Sequence, residues 1–381
     1  MILVPLQVCP GESSLSALLM NLLEENEKQK KVNMMIFSKY SDEAERESKK
    51  YPNTKFTYIK LGKLDKVMIF LYRAIKKIFK KKIFFLDRYY YKCYKICQKE
   101  KFDKIIAEAG AYQSYEAYAE RLGRDKMVLH LHQDNYEKKH EKIFSTVICV
   151  SEFLKRKVEA VSQGRLLVNV LKNGINLEKF KRKVSAEQVQ RLRDEMKLRA
   201  EDYVVIFCGR LFEGKGVLEL IRSFKSLPDC LKLLIIGTFD DLNGEFAKDF
   251  QSEVGQLEDK VRVIGYVNYN EIYQYYALAD LQVIPSKWEE AAGLVAIEGM
   301  VRGVPIIATK AGGMVEYIDD ACALIIEKDN QLEKNIADAI LQLYQDKERC
   351  KKMSEQGMQR AELFSKEKYY DDFVALVESW E

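Results

Sequence analysis

Residues 203–216 read Tyr203-Val204-Val205-Ile206-Phe207-Cys208-Gly209-Arg210-Leu211-Phe212-Glu213-Gly214-Lys215-Gly216. An apolar run runs straight into a glycine turn, and a helical pattern opens near Val217. Near-continuous apolar strands belong to parallel sheets covered on both faces. Glycines at a strand-to-helix turn let backbone N–H groups approach an anion at the helix N-terminus, and Arg210 and Lys215 add two positive charges there. The stretch is not a Walker loop, because Gly216 and Val217 follow the lysine. It is not the dinucleotide fingerprint either, because Gly209 and Gly214 have the wrong spacing. Alone, it reads as a phosphate site or as a merely tight turn.

Outward from this stretch the same alternation repeats. Buried strands are expected at Leu231–Ile236, Val261–Ile264, Leu281–Ile284, Val304–Ala308 and Ala323–Ile326. An earlier series covers Met34–Phe37, Lys104–Ala107, Met127–Leu131 and Val147–Val150. Two such series separated by helices imply an α/β chain with two doubly wound parallel-sheet domains. Asn173-Gly174 is the turn signal between them, so domains are expected at 1–172 and 173–363. Ligands of open α/β sheets bind outside the carboxyl ends of the strands. The polar residues that follow strands are therefore the candidate site residues, and two facing sheets would share a central cleft.

The second such segment is Pro285-Ser286-Lys287-Trp288-Glu289-Glu290-Ala291-Ala292-Gly293-Leu294-Val295-Ala296-Ile297-Glu298. Its small residues precede a helix expected to begin near Gly293 or Leu294, which puts Glu290 before the helix and Glu298 inside it. Eight residues of helix rise about 12 Å, whereas the paired carboxylates of glycosidases stand about 5–9.5 Å apart. The spacing suits two carboxylates gripping separated hydroxyl groups better than two attacking one bond. Either glutamate alone also reads as a solvated or N-terminal helix acid, favoured by the macrodipole.

Composition bounds the rest. An apolar share of 47% over 381 residues can bury sizeable cores, which excludes disorder as a description of the whole. No cysteine pair has the C-x2-C spacing of a zinc or redox site, and reduced thiols are expected. Nothing reads as a secretory signal or as a spanning helix. The net charge of +4 hides an asymmetry: residues 61–101 hold 13 Lys or Arg against three acids, a net +10 that leaves −6 for the remainder. Within this patch Leu64, Val67, Met68, Leu71, Ile75, Ile78 and Phe79 form an apolar stripe at helical spacing, bordered by basic residues that include Lys76, Lys77, Lys80, Lys81 and Lys82. Such a helix can lie on an anionic membrane surface, each Lys or Arg adding roughly 1 kcal/mol. Alternatively the stripe packs on the domain's own sheet and the lysines face water. Nucleic acid is the least favoured reading of the patch and is not expected as a partner.

Several ordered motifs together resemble family 4 glycosyltransferases of the GT-B fold. They are Gly209-Arg210-Leu211 with Gly214-Lys215-Gly216, the Glu290–Glu298 pair, and Gly303-Val304-Pro305 followed by Ala311-Gly312-Gly313-Met314-Val315-Glu316. Val150-Ser151-Glu152-Phe153-Leu154 and Asn173-Gly174-Ile175 with Phe180 resemble that family's linker region. The resemblance is dense over 148–327 and thin over 1–125. It implies two Rossmann-like domains facing a cleft, the first binding the acceptor and the second the nucleotide sugar, with the last helix, about 364–381, packing back on the first. It further implies that Arg210 and Lys215 hold the donor's diphosphate, that Glu298 binds the ribose, and that Glu290 binds the sugar hydroxyls. Backbone groups of Gly209, Ala292, Gly293 and Leu294 would line the donor, and Gly265-Tyr266-Val267 would meet the base. His132 corresponds to the family's active-site histidine, with His130 as the alternative on the same strand. Two departures stand out: Ala291-Ala292 occupies the place where the family often has Pro-Phe, and Pro10-Gly11-Glu12-Ser13 offers a single glycine, Gly11, towards the diphosphate.

The chemistry so implied is retaining transfer from a nucleotide-diphosphate sugar, a UDP-sugar first among the candidates, with no metal and no cofactor. The acceptor expected from the basic patch is a lipid-linked saccharide, and the place is the inner, cytoplasmic face of a cell membrane during the assembly of capsule or another surface polysaccharide. An inactive GT-B chaperone or binding partner and a GT-B sugar-nucleotide epimerase are the other readings.

Overall fold

The computed structural model describes residues 1–5, 14–79, 83–108, 112–242 and 244–380. The chain divides into two compact units, Met1–Ile175 together with Lys366–Glu381, and Asn176–Ser365.

The first unit is built on a seven-stranded sheet whose strands are β1 (Ile2–Pro5), β2 (Met34–Lys39), β3 (Lys55–Ile59), β4 (Lys104–Ala107), β5 (Met127–Leu131), β6 (Thr146–Cys149) and β7 (Leu167–Val170). Their order is β3-β2-β1-β4-β5-β6-β7, and every pairing is parallel. The central β5 and β6 are buried along their whole length because helices cover both faces. Helix Lys366–Glu378 belongs to this unit. It buries Tyr369, Tyr370, Phe373 and Val374. The Lys366 N–H donates to the Ile175 carbonyl at 2.9 Å, the Tyr370 hydroxyl to Asn26 Oδ1 at 2.6 Å, and the Lys366 ammonium pairs with Glu24 and Glu25.

The second unit holds β8 (Tyr203–Cys208), β9 (Leu231–Ile236), β10 (Val261–Gly265), β11 (Leu281–Ile284), β12 (Ile306–Thr309) and β13 (Ala323–Ile326). Their order is β10-β9-β8-β11-β12-β13, again all parallel. Val205, Phe207, Leu233, Ile235 and Val283 pack with Leu220, Ile221, Ile336 and Ile340 in one core. The order of strands reverses between β8 and β11, the switch point at which open α/β sheets present their ligand crevice.

Helix Lys63–Phe79 carries the expected apolar stripe, but much of the stripe faces solvent. Leu64 is 80% exposed and Ile78 70%, with Val67, Leu71 and the neighbouring Phe70 exposed as well. This corrects the reading in which the unit's own core absorbs the whole stripe; Met68 and Ile75 are half-buried, whereas Leu64, Val67, Phe70, Leu71 and Ile78 are exposed. The helix is moored at its start instead. Asp65 is buried, accepts the Gly62 N–H at 2.9 Å and pairs with Arg88, 2.8 Å away, and with Lys92. Burial raises the Asp65 carboxyl, yet Lys92 and Arg88 outweigh it and hold it at about 2. Lys63, Lys66, Arg73, Lys76 and Lys77 are exposed on the same helix, while Lys80, Lys81 and Lys82 lie outside the described residues. No helix among the described residues is long and apolar enough to cross a membrane.

Candidate active site

The loop after β8 tightens into a short turn, Glu213–Lys215, and then helix Val217–Ser223. Gly216 sits at φ +68°, and a Cβ there would stand 1.9 Å from the Pro285 carbonyl oxygen, so only glycine lets this turn press against the loop after β11. Two hydrogen bonds hold the loops together: the N–H groups of Lys287 and Trp288 donate to the Gly214 carbonyl at 2.8 and 3.1 Å. As a result Lys215 meets Glu290. The ammonium is 2.6 Å from Glu290 Oε1 and 5.4 Å from the centre of the Trp288 ring. The Ser286 hydroxyl donates to the same carboxylate oxygen, and Ser286 is fixed in turn by Thr309, whose hydroxyl donates to the Ser286 carbonyl at 2.7 Å. The Gly313 N–H donates to the Glu290 carbonyl at 2.6 Å, which draws the Ala311-Gly312-Gly313 turn to the same place.

Arg210 lies on the solvent side of this cluster. Its guanidinium pairs with Asp240, 3.0 Å away and following β9, and stacks on Phe212 at 5.1 Å. The small residues Ala292 and Gly293 lead into helix Leu294–Val301, whose first N–H groups have no carbonyl a turn earlier to bond. Glu298, inside that helix, is buried. It ends a polar chain: Gln282 Nε2 donates to the Tyr276 hydroxyl at 3.2 Å, and that hydroxyl donates to Glu298 Oε2 at 3.1 Å. Desolvation pushes the Glu298 carboxyl up to about 7, against the opposing effects of Tyr276 and Lys179. Lys179 itself stands 3.5 Å over the Tyr269 ring. Tyr266, beyond β10, is open to solvent, and Val267 is half-buried. Arg210 and Lys215 thus follow the carboxyl end of β8, Glu290 that of the adjacent β11, and Tyr266 that of β10 in the same sheet. Gly11 lies outside the described residues.

In the first unit, His130 on β5 and His132 just past it share one carboxylate. Glu108 Oε2 is 3.0 Å from His130 Nδ1 and 2.9 Å from His132 Nε2. The three sets of donor atoms lie within 4.8 Å of one another. Burial works to raise the Glu108 carboxyl, but the imidazoles, His130 foremost, hold it well below the ordinary carboxylate range. Burial and the neighbouring His130 lower the pKa of His132.

Glu108, Tyr276, Gln282, Lys179 and Asp240 were not among the residues singled out from the sequence. Two of them carried a signal: Gln282 is a lone polar residue in an apolar strand, and Glu108 directly follows one.

Residues 188–360 match the family model Glycosyl transferases group 1. They form a glycosyltransferase group 1 domain. Among curated relatives, the lipopolysaccharide 1,2-N-acetylglucosaminetransferase of Salmonella typhimurium is 28% identical over 229 residues, covering 57% of this chain and 58% of that protein. An uncharacterized glycosyltransferase of Methanocaldococcus jannaschii is 33% identical over 175 residues, 45% of this chain and 44% of that one. The chain therefore spans about half the length of these relatives. Over the whole chain, the fold is that of Anabaena HepE solved with UDP and glucose, with a TM-score of 0.77, 17% identity and 99% of both chains covered. A glycosyltransferase of Rickettsia africae superposes with a TM-score of 0.78, 17% identity, and 100% and 98% coverage. Both likenesses support one architecture, GT-B, with a Rossmann-like sheet in each unit. The group 1 domain contains the Lys215–Glu290 pair, Arg210 and Glu298.

Proposed function

We propose that this chain is a retaining glycosyltransferase that moves a sugar from a nucleotide-diphosphate sugar, a UDP-sugar first among the candidates, to a lipid-linked saccharide in the synthesis of a cell-surface polysaccharide such as capsule or lipopolysaccharide. The observation that carries this reading is the Lys215–Glu290 pair held against the glycine turn at the switch point of the second sheet. When a diphosphate arrives, Lys215 exchanges the Glu290 carboxylate for the phosphate at the same loop junction. As the sugar–phosphate bond breaks, negative charge grows on the departing diphosphate, and fixed positive charge at Lys215 and Arg210 lowers that transition state more than the ground state. Glu290, once Lys215 turns to the phosphate, is an acceptor for sugar hydroxyls, and Glu298 is an acceptor for the ribose. His132 would hydrogen-bond a hydroxyl of the bound sugar. With leaving-group charge met by side chains, the reaction needs no metal, and the acceptor attacks from the side the diphosphate leaves, which retains configuration.

The acceptor follows from helix Lys63–Phe79. A stripe of Leu64, Val67, Phe70, Leu71 and Ile78 exposed to water, bordered by Lys63, Lys66, Arg73, Lys76 and Lys77, is the surface of a helix that lies in the plane of an anionic bilayer. An enzyme resting at the inner face of the cell membrane meets its acceptor on a lipid.

The test is a panel of nucleotide sugars and nucleotides, read by thermal stabilisation and by release of free sugar. The expected result is stabilisation by UDP or a related diphosphate together with slow donor hydrolysis. Binding without hydrolysis in the presence of any acceptor would favour an inactive binding protein, epimerised product would favour an epimerase, and no nucleotide binding at all would remove the reading.

A further inference from the structure

We infer that Glu108 is a positioning residue that fixes the tautomers of both strand-end histidines, so that His132 offers a bare Nδ1 lone pair to its ligand. That the ligand is a sugar hydroxyl rests on the transferase reading; the tautomer assignment does not.

The geometry starts from register. In the parallel pair β4–β5, Ala107 stands opposite Leu129, which brings Glu108, just past the end of β4, beside His130 on β5. Both are buried. An ionised carboxylate only accepts hydrogen bonds, so each nitrogen facing it carries a proton. Those nitrogens are Nδ1 of His130, at 3.0 and 3.2 Å from the two carboxylate oxygens, and Nε2 of His132, at 2.9 Å. Each ring is assigned a single proton, because a second one on His130 would sit on Nε2 as a buried donor with no partner among the described residues. Nε2 of His130 is therefore a lone pair, and so is Nδ1 of His132, which is the less buried of the two rings. The first consequence explains an oddity: His130 Nε2 is buried and has no partner among the described residues. A bare acceptor tolerates that position better than an N–H would, since orphaned donors are the rarer case in folded proteins.

The same three groups could hold a divalent transition ion. A metal on Nδ1 of His130 would, however, force the proton onto Nε2, where it would be an unpaired buried donor. Metal-bound histidines normally donate that second N–H to a partner. The carboxylate-bridged pair is the arrangement that the surroundings support. Its chemical consequence is selectivity: Nδ1 of His132 accepts from a hydroxyl and offers nothing to a phosphate oxygen.

Glu108→Gln keeps the shape but breaks the logic. The amide accepts from one imidazole and donates to the other, so one ring must exchange its tautomer. The whole chain has three histidines, which makes nitrogen NMR of its labelled imidazoles assignable. The expected spectrum shows His130 protonated on Nδ1 and His132 on Nε2, with one of the two reversed in Glu108→Gln. Turnover of the nucleotide sugar should fall at least tenfold in that variant. In a His132→Ala background the same substitution should cost little more, because Glu108 acts through His132. Unchanged tautomers in Glu108→Gln, multiplicative losses in the double variant, or one zinc per chain in the purified protein would each overturn the inference. If no sugar nucleotide is turned over, the transferase reading fails while the NMR result still decides the tautomers.

Discussion

Replacing Glu298 by glutamine should free the second unit from a penalty that grows with pH. Glu298 is 5% exposed, and desolvation, opposed by the Tyr276 hydroxyl and by Lys179, pushes its carboxyl up to about 7 from 4.5. Cys208 is a further neighbour, its own thiol raised by burial and by the Glu298 charge. An acid with a raised folded-state pKa keeps its proton in the native state at a pH where the unfolded chain has lost it. The stabilisation is therefore complete below about 4.5 and is lost as pH rises through about 7. At 1.36 kcal/mol per unit the whole loss is about 3 kcal/mol, of which about 2–3 kcal/mol falls between pH 5 and pH 8. Glutamine fills the same space, still accepts from Tyr276 and does not titrate. Other ionisable groups are common to both proteins and cancel in the difference.

The measurement is urea unfolding followed by tryptophan fluorescence in a Trp380→Phe background, which leaves Trp288, in the second unit, as the reporter. The stability of Glu298→Gln relative to the parent should rise by about 2–3 kcal/mol from pH 5 to pH 8. Curves that stay parallel within about 0.5 kcal/mol would show that Glu298 titrates as an ordinary surface acid and that its burial has been misjudged. A ribose whose hydroxyls donate to Glu298 favours the ionised form, so nucleotide affinity should climb through the same pH window in the parent and flatten in the variant.

Lys215→Ala should lower sugar transfer by a hundredfold or more while the protein stays folded; near-normal turnover by the folded variant would remove the diphosphate role. Gly216→Ala should lower the unfolding midpoint of the second unit and cost about 2 kcal/mol or more, because the new methyl meets the Pro285 carbonyl at 1.9 Å and the backbone is left-handed there; calorimetry showing no shift would contradict that packing. Transfer should proceed fully in EDTA, and a loss that magnesium restores would show that a metal supplies the charge assigned to Lys215 and Arg210. Vesicle flotation should recover the protein with anionic but not zwitterionic lipid, and Phe70→Ser with Ile78→Ser should release it; equal recovery with both lipids, or none with either, would refute the membrane reading.

What the sequence made legible follows from where water is absent. Strands buried on both faces are continuous apolar runs, so most of both sheets could be read directly, and so could the polar segments after β8 and β11; β1 was not singled out, a run of four residues ending in Pro5 that pairs between β2 and β4. Edge strand β3 could not: Lys55 and Thr57 interrupt it because that strand pairs on one side only and is half exposed. The apolar stripe of helix Lys63–Phe79 was legible as a stripe, but periodicity reports that one face is apolar and not what covers it; exposure of Leu64 and Ile78 is a tertiary fact. Pairings were the least legible of all. Glu290 looked like a residue for sugar hydroxyls and Lys215 like one for phosphate, and nothing in a linear chain says that residues 75 apart will neutralise each other at 2.6 Å. Yet that pairing changes the chemistry. On the proposed function, a nucleotide sugar entering this site would take Lys215 away from Glu290, and the carboxylate so released would be the acceptor for the sugar's hydroxyls. One ion pair can thus couple recognition of the diphosphate to recognition of the sugar, which neither residue could do alone.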